Sequence, residues 1–188
     1  SSTTEQYHGH LVINANGYLD DREMYKNFPE DSALLDELHQ DQAVQGVSPR
    51  LRGFGLVSHK ESSYPAELLG IRPLMEMSVT KLHTQLIAGV FPTNKDTEGA
   101  VIGSSLAKKL GVSPGDELIF VTQAADGSIG NDLLIVRAIF RTGHSGHDNN
   151  LILVPQRWLQ QMMALEGKVH EIALSVADPL RAAEDAQR

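Results

Sequence analysis

Short apolar runs, each closed by glycine or proline, dominate this chain and limit what it can fold into. Leu11-Val12-Ile13 runs into Asn14-Ala15-Asn16-Gly17, Ala100-Val101-Ile102 into Gly103, and Leu151–Val154 into Pro155. Runs of this length predict strands rather than long helices. Charge-free stretches such as Leu82–Asn94 are too short and too polar to cross a bilayer, which takes ~20 apolar residues. The chain must therefore bury many short strands against a few short helices, an α+β fold. At 188 residues it suits one ordinary domain or two small ones. It can bury ~70% of its unfolded surface without a staple. None is offered by cysteine, whose count is zero, which also removes thiolate nucleophiles and cysteine-ligated zinc. The net charge of −8 argues against a nucleic-acid platform or a binder of anionic membranes, both of which need clustered Lys and Arg. Ser1-Ser2-Thr3-Thr4 has neither the basic start nor the apolar core of a signal peptide, and no initiator methionine precedes it, so the start reads as processed or excised.

Along the chain, His10–Asn14 predicts a first strand. A helix follows from Asp31 or Ser32, with Leu34, Leu35 and Leu38 on one stripe. Val47–Ser58 and Tyr64–Arg72 predict two strands across the turn His59–Ser63. Pro49, Gly53, Gly55 and Pro65 mark them as edge or bulged strands. Leu74–Gly89 reads as partly helical. Ala100–Gly103 predicts a strand, followed by a two-turn helix capped by Ser104 or Ser105 and ended by Gly111. Leu118–Thr122 and Leu133–Phe140 predict a hairpin across Ala125-Asp126-Gly127-Ser128. Gly143–Asn150 reads as a polar loop. Leu151–Val154 predicts a strand and Pro155 a helix start, with Trp158, Leu159, Met162 and Met163 on one face. Val169–Val176 predicts a strand, and Asp178-Pro179 a last polar helix.

No stretch carries a convincing active site. Gly53-Phe54-Gly55 opens no helix and lacks the third glycine of a dinucleotide fingerprint, so a strand is the better reading. Gly143-His144-Ser145-Gly146-His147 approaches a nucleophile elbow, but His147 stands where glycine is required and a strand follows instead of a helix. His144, His147 and Asp148 offer at most three metal ligands on a loop. His8 and His10 share one strand face. His170-Glu171 opens no zinc-protease helix, because Leu174 occupies the second histidine position. Asp20-Asp21, Asp36-Glu37 and Asp116-Glu117 are sequence neighbours, and neighbours do not converge on one substrate. No residue is assigned as catalytic, cofactor-binding or metal-binding, and no cofactor is expected.

The order of elements and several local patterns resemble the extracytoplasmic domain of the FtsX-type ABC transporter permeases, a family that includes MacB-like exporters and lipoprotein-releasing LolC/LolE-like permeases. The resemblance rests on Tyr7–Ile13, Val44–Arg50, Leu69–Pro73, Leu151–Pro155 and, most specifically, the stretch from Ala100 through Ser104-Ser105-Leu106 to Gly111-Val112-Ser113-Pro114-Gly115-Asp116. It implies a porter-like α/β subdomain, residues 1–95 plus 149–188, holding an inserted β-rich, Sabre-like subdomain at 96–148, each with its own core. It implies Trp158, Leu159 and Ile172 packed on Leu34 or Leu38, and the first strand beside the last in one sheet, with Ser1 and Arg188 leaving the same face. Hinges would fall at Phe91–Thr97 and Thr142–Asn150. The function so implied is coupling of ATP-driven motion to export or release of a lipoprotein or small molecule. The domain would lie on the periplasmic side of the inner membrane and would not be an enzyme. ATP hydrolysis would belong to a separate ATPase reached through membrane helices, with a periplasmic partner or cargo and room for a dimer. The connection Thr122–Asp132 is shorter than the hairpin with which lipoprotein-releasing members grip a carrier. The alternatives are a free-standing periplasmic binding protein and, further off, a small metal-dependent hydrolase using the His144–Asp148 loop.

Overall fold

A computed structural model describes residues 2–7, 10–15, 28–30 and 32–176. The strands are β1 (Ser2–Tyr7), β2 (His10–Ala15), β3 (Phe28–Pro29), β4 (Val44–His59), β5 (Ser62–Ile71), β6 (Leu86–Gly89), β7 (Gly99–Gly103), β8 (Glu117–Gln123), β9 (Ile129–Phe140), β10 (Leu151–Pro155), β11 (Lys168–Val169) and β12 (Glu171–Val176). The helices are α1 (Ser32–Gln40), α2 (Pro73–Met77), α3 (Ser104–Leu110), α4 (Ser145–Asn150) and α5 (Gln156–Met162). The expected last helix at Asp178-Pro179 lies outside the described residues, as do Ser1 and Arg188. No helix among the described residues is long and apolar enough to cross a membrane.

Pairings β4–β5, β5–β10, β10–β7, β7–β9, β9–β8 and β8–β4 close on themselves, so these six strands form a barrel. The period-2 alternation of each strand decides what fills it. Leu51 and Val57, Ala66 and Leu68, Ala100 and Ile102, Leu118 and Phe120, Leu134 and Val136, and Ile152 and Val154 share one buried cluster. Leu106 and Leu110 of α3 and Trp158 and Leu159 of α5 join it, so these helices cover the barrel interior. The other face of the same strands, Leu69, Ile71, Val101 and Leu153 by opposite parity and Phe140 after the register shift past Val136, packs against Leu82, Leu86 and Phe91.

An open layer continues from the barrel, in the order β1-β2-β12-β4. Leu11 pairs with Leu174 and Ile13 with Ile172, so the first predicted strand and the last are neighbours. Ser2 pairs with Ala15 while His10 pairs with Ser175, which puts the start of β1 and the end of β12 at opposite ends of this layer. Leu35 of α1 packs with Val47, Ile172, Leu174 and Val176. One strand, β4, belongs to both parts. Its first half pairs with β12 and its second half with β5.

Several expectations are corrected. Residues 96–148 have no core of their own: their strands share the barrel cluster with Leu51 and Leu68 from the first segment and Ile152 and Leu159 from the last. The apolar clusters divide instead where β4 crosses from one sheet to the other, between Arg50 and Leu51. Ile172 packs on Leu34, Leu35 and Leu38 as expected, but Trp158 and Leu159 belong to the barrel. The connector Phe91–Thr97 joins β6, which flanks the barrel through β9, to barrel strand β7, and Thr142–Asn150 joins barrel strands β9 and β10, so neither links two bodies. β4 is a central strand, not an edge. Its glycines answer to crowding, since a Cβ on Gly55 would lie 2.1 Å from the Val121 carbonyl oxygen. Leu74–Gly89 is helical in part, as expected, at α2 and in a 3₁₀ turn at Leu82–Thr84, and it ends in a strand, β6, that was not expected. α3 starts after Gly103 with no side-chain cap from Ser104 or Ser105. β1 was not foreseen. Its sequence, Ser-Thr-Thr-Glu-Gln-Tyr, lacks the apolar alternation that marks a half-buried strand.

Candidate functional site

The crossing of β4 between layer and barrel carries the densest buried polar chemistry among the described residues. The strand alternation that aims Val47 and Leu51 into apolar clusters aims Ser48, Arg50 and Arg52 elsewhere, into the seam. Arg50 grips Glu76 of α2 with two bonds, from Nε to Oε1 at 2.9 Å and from Nη2 to Oε2 at 2.7 Å. Ser48 Oγ donates to Glu76 Oε1 at 2.6 Å and Thr80 Oγ1 to Oε2 at 3.0 Å. The Glu76 side chain is 1% exposed. Arg50 Nη1 reaches Glu171 Oε2 on β12 at 3.4 Å. Arg52 donates from Nε to Glu171 and from Nη1 to Glu67 of β5. Beside this network, Gln156 Nε2 of α5 donates to the Pro49 carbonyl at 2.9 Å, and Arg72 donates to Gln156 Oε1 at 3.2 Å and to Glu30.

Burial by itself would raise the Glu76 carboxyl. The Arg50 guanidinium and the bonds from Arg50, Ser48 and Thr80 outweigh it and hold Glu76 below the usual range. Glu171 is likewise held down, against burial, by Arg52 and Arg50. Burial opposes the charge on Arg50, but Glu76 and Glu171 raise its affinity for the proton overall. Paired, saturated and buried, these groups cannot act as acids or bases near neutral pH. What they can do is fix the angle between layer and barrel. A buried pair rewards one geometry and penalises any displacement that separates its charges.

The loop singled out in the sequence is organised differently from a catalytic or metal site. Gly143–Asn150 is not all loop, because Ser145–Asn150 is α4. Asp148 is buried and accepts from Thr142 N, Thr142 Oγ1 and Gly143 N at 2.9, 2.8 and 3.0 Å. These bonds, with His147 nearby, keep its carboxyl low against the effect of burial. His144 Nδ1 accepts from His147 N at 3.4 Å, and the two rings lie 4.5 Å apart. Burial and His144 lower the pKa of His147. Ser145 opens a helix. No group of three His, Asp or Glu that could hold a metal occurs among the described residues.

The other candidates are dispersed. Asp36 and Glu37 are exposed on α1. Asp116 Oδ2 accepts from Ser113 N at 2.8 Å inside its turn, and Glu117 is exposed on β8. The side chains of His8, His10, Asp20 and Asp21 lie outside the described residues. His170 and Glu171, rejected as a zinc motif, sit at the seam. Sequence reasoning missed Arg50, Arg52, Glu76 and Glu171 as a unit. The available signal was two arginines at alternate positions of a strand otherwise rich in apolar residues and glycine.

The family described as MacB-like periplasmic core domain matches residues 2–188. Solved structures similar in fold include the periplasmic region of MacB from Actinobacillus actinomycetemcomitans. It is 16% identical, with a TM-score of 0.66 over 94% of this chain and 79% of that one. The extracellular domain of the noncanonic ABC-type transporter YknZ from Gram-positive bacteria is 17% identical, with a TM-score of 0.63 over 87% of this chain and 82% of that one. A domain of a putative permease protein from Porphyromonas gingivalis is 17% identical, with a TM-score of 0.52 over 80% of this chain and 71% of that one. Among curated proteins no match was found.

Proposed function

The chain belongs to the MacB-like periplasmic core domain family, and from that membership we propose that it couples ATP-driven movement of an ABC transporter permease to export or release of a substrate on the extracytoplasmic side of the membrane. ATP hydrolysis belongs, in this reading, to a separate ATPase subunit or domain. The domain itself performs no catalysis. The cargo class that suits the chain better is one that needs no gripped carrier, because β8 and β9 close directly at Gln123 and Ile129 across a five-residue connection.

One observation carries the reading. A single strand of 16 residues, β4, runs from the layer into the barrel, and buried ion pairs clamp it at the crossing. β12 pairs with β4 there through Glu171 and Arg50. A displacement delivered along β12 therefore reaches the barrel through a stiff strand and a saturated polar joint, not through loops.

The test uses the full transporter. Glu76→Gln keeps the shape of the side chain and removes half of the Arg50 pair. We expect substrate transport to fall at least several-fold while ATP hydrolysis and membrane insertion persist. Unchanged transport in a correctly inserted Glu76→Gln transporter would remove the coupling role from this joint.

A further inference from the structure

The outside of the barrel is covered on one side and bare on another. Where Leu69, Ile71, Val101 and Leu153 point outward, the chain lays Leu82, Leu86 and Phe91 over them. Where β4, β8 and the start of β9 run side by side, the outward side chains stay open among the described residues. Leu56 lies opposite Val121 and Ser58 opposite Ile119. Ile119 in turn lies opposite Leu133, and Gln123 opposite Ile129. The same alternation that aims Val57, Leu118, Phe120 and Leu134 into the barrel aims these side chains out. Phe54 is 47% exposed, Leu56 49%, Ile119 49% and Ile129 68%. Val121 and Leu133, between them, are partly exposed.

The size of this face bears on what can cover it. At ~200 Å² for a large apolar residue, the four most exposed side chains leave about 400 Å² uncovered. A patch of that size marks a binding site on a monomer. It is half of the about 800 Å² that each partner buries in a standard stable interface, so a second copy of this chain is a poor fit. Charge counts against a second copy as well. The fringe holds Glu117 at the head of β8, Glu61 in the turn between β4 and β5 and Asp126 in the turn between β8 and β9, against Lys60. Glu67 and Arg52 on the same side neutralise each other. Two copies face to face would set this acidic fringe against itself.

The backbone narrows the choice further. At the centre of the face, Leu56–Ser58 of β4 and Ile119–Val121 of β8 are paired with strands on both sides. A partner cannot add a strand there and must bring side chains instead. The apolar stripe of a helix brings them in a patch of this size, and a helix laid on a sheet is an ordinary way to complete its apolar face.

We propose that the face centred on Leu56 and Ile119 docks an amphipathic helix of a partner protein, with lysine or arginine flanking its apolar stripe. The stripe supplies the affinity, and the fringe of Glu61, Glu117 and Asp126 selects a basic partner over an acidic one. This docking does not depend on the coupling role of the Arg50–Glu76 joint.

The test uses the 188-residue chain and two synthetic helices of about 18 residues, about five turns each. Both carry the same leucine stripe, and the remaining positions are lysine in one and glutamate in the other. Calorimetry measures binding and NMR amide shifts locate it. The lysine helix should bind about tenfold tighter than the glutamate helix. It should shift the amides of Leu56, Ile119 and Val121 and leave that of Ile172, in the layer, in place. Ile119→Asn removes apolar area without adding charge and should weaken the lysine helix about tenfold. Glu117→Lys should narrow the gap between the two helices. Four results would each overturn the proposal: no binding of the lysine helix, equal binding of both helices, shifts confined to another part of the chain, or a dimer whose Leu56 and Ile119 amides shift on dilution. The last would give the face to a second copy. All four are read on the wild type, so they decide the matter even where a variant does not fold.

Discussion

The barrel interior and the seam beside it are both buried, and the same strand lines both, yet they are built from opposite chemistry. β4 gives Leu51 and Val57 to the barrel and Ser48, Arg50 and Arg52 to the seam. Apolar burial is non-directional, so the barrel gains from closeness of packing and tolerates many detailed arrangements. Ion pairs are directional and costly to desolvate, so the seam gains little net stability but singles out one geometry. The difference assigns stability to the barrel and orientation to the seam.

The sharpest way to break this comparison is to attack the barrel. Phe120 is fully buried at the centre of the cluster, near the Trp158 ring with centroids 6.5 Å apart. Phe120→Ala should cost about 4 kcal/mol, from lost transfer and a residual cavity. Urea unfolding would show it as a lowered midpoint with unchanged slope. A loss below about 1 kcal/mol would mean that the barrel is not the main source of stability.

At the seam the single and double changes should disagree. Glu76→Ala leaves buried Arg50 with only its longer 3.4 Å contact to Glu171 and should cost about 3 kcal/mol. Replacing both partners, with Arg50→Met and Glu76→Leu, should recover most of that loss, because the desolvation penalty disappears with the charges. Stability recovered without transport would separate orientation from stability directly. Acid gives a second reading of the same pair. Glu76 and Glu171 have carboxyl groups held below their ordinary value of 4.5 in the folded chain. Their contribution is therefore complete above the unfolded value and is lost as pH falls through the folded one. The urea midpoint of the wild type should drop steeply below about pH 4.5, and less steeply in the double variant.

The barrel was largely legible in the sequence, and the seam was not. Ala100–Gly103, Leu118–Thr122, Leu133–Phe140 and Leu151–Val154 announce themselves as strands by their apolar runs, and each became one. What the sequence hid was their partnership. Paired residues of β7 and β10 lie 50 and 52 positions apart, and those of β8 and β4 lie 61 to 65 apart, and periodicity says nothing about partners so distant. That is why residues 96–148 read as a separate unit when their strands complete a shared barrel. The seam is hidden for the same reason. Arg50, Glu76 and Glu171 are separated by 26 and 95 residues, and each alone looks like an ordinary charged side chain. The family resemblance, by contrast, rested on local order, and the family match over residues 2–188 agrees with it.

The smallest effect falls on a turn that serves the barrel without lining it. α3 ends at Gly111, which takes a left-handed φ of 72° and donates its N–H to the Lys108 carbonyl at 3.2 Å. Val112 N then donates to the Ala107 carbonyl at 3.1 Å, and the Val112 side chain joins the barrel cluster. Those two bonds and that contact make a helix end of the kind glycine favours. A Cβ on Gly111 would meet nothing within 4 Å, so sterics with neighbours cannot be the objection to a side chain there. The cost is backbone conformation alone, about 1 kcal/mol for alanine. Asparagine, which tolerates the left-handed region better, should cost less than alanine. Gly111→Ala and Gly111→Asn compared by thermal unfolding thus isolate a local backbone term from the packing that Phe120 reports. Equal losses for the two, or a loss as large as that of Phe120→Ala, would show that Gly111 matters through contacts with the barrel and would move it to the other side of the comparison.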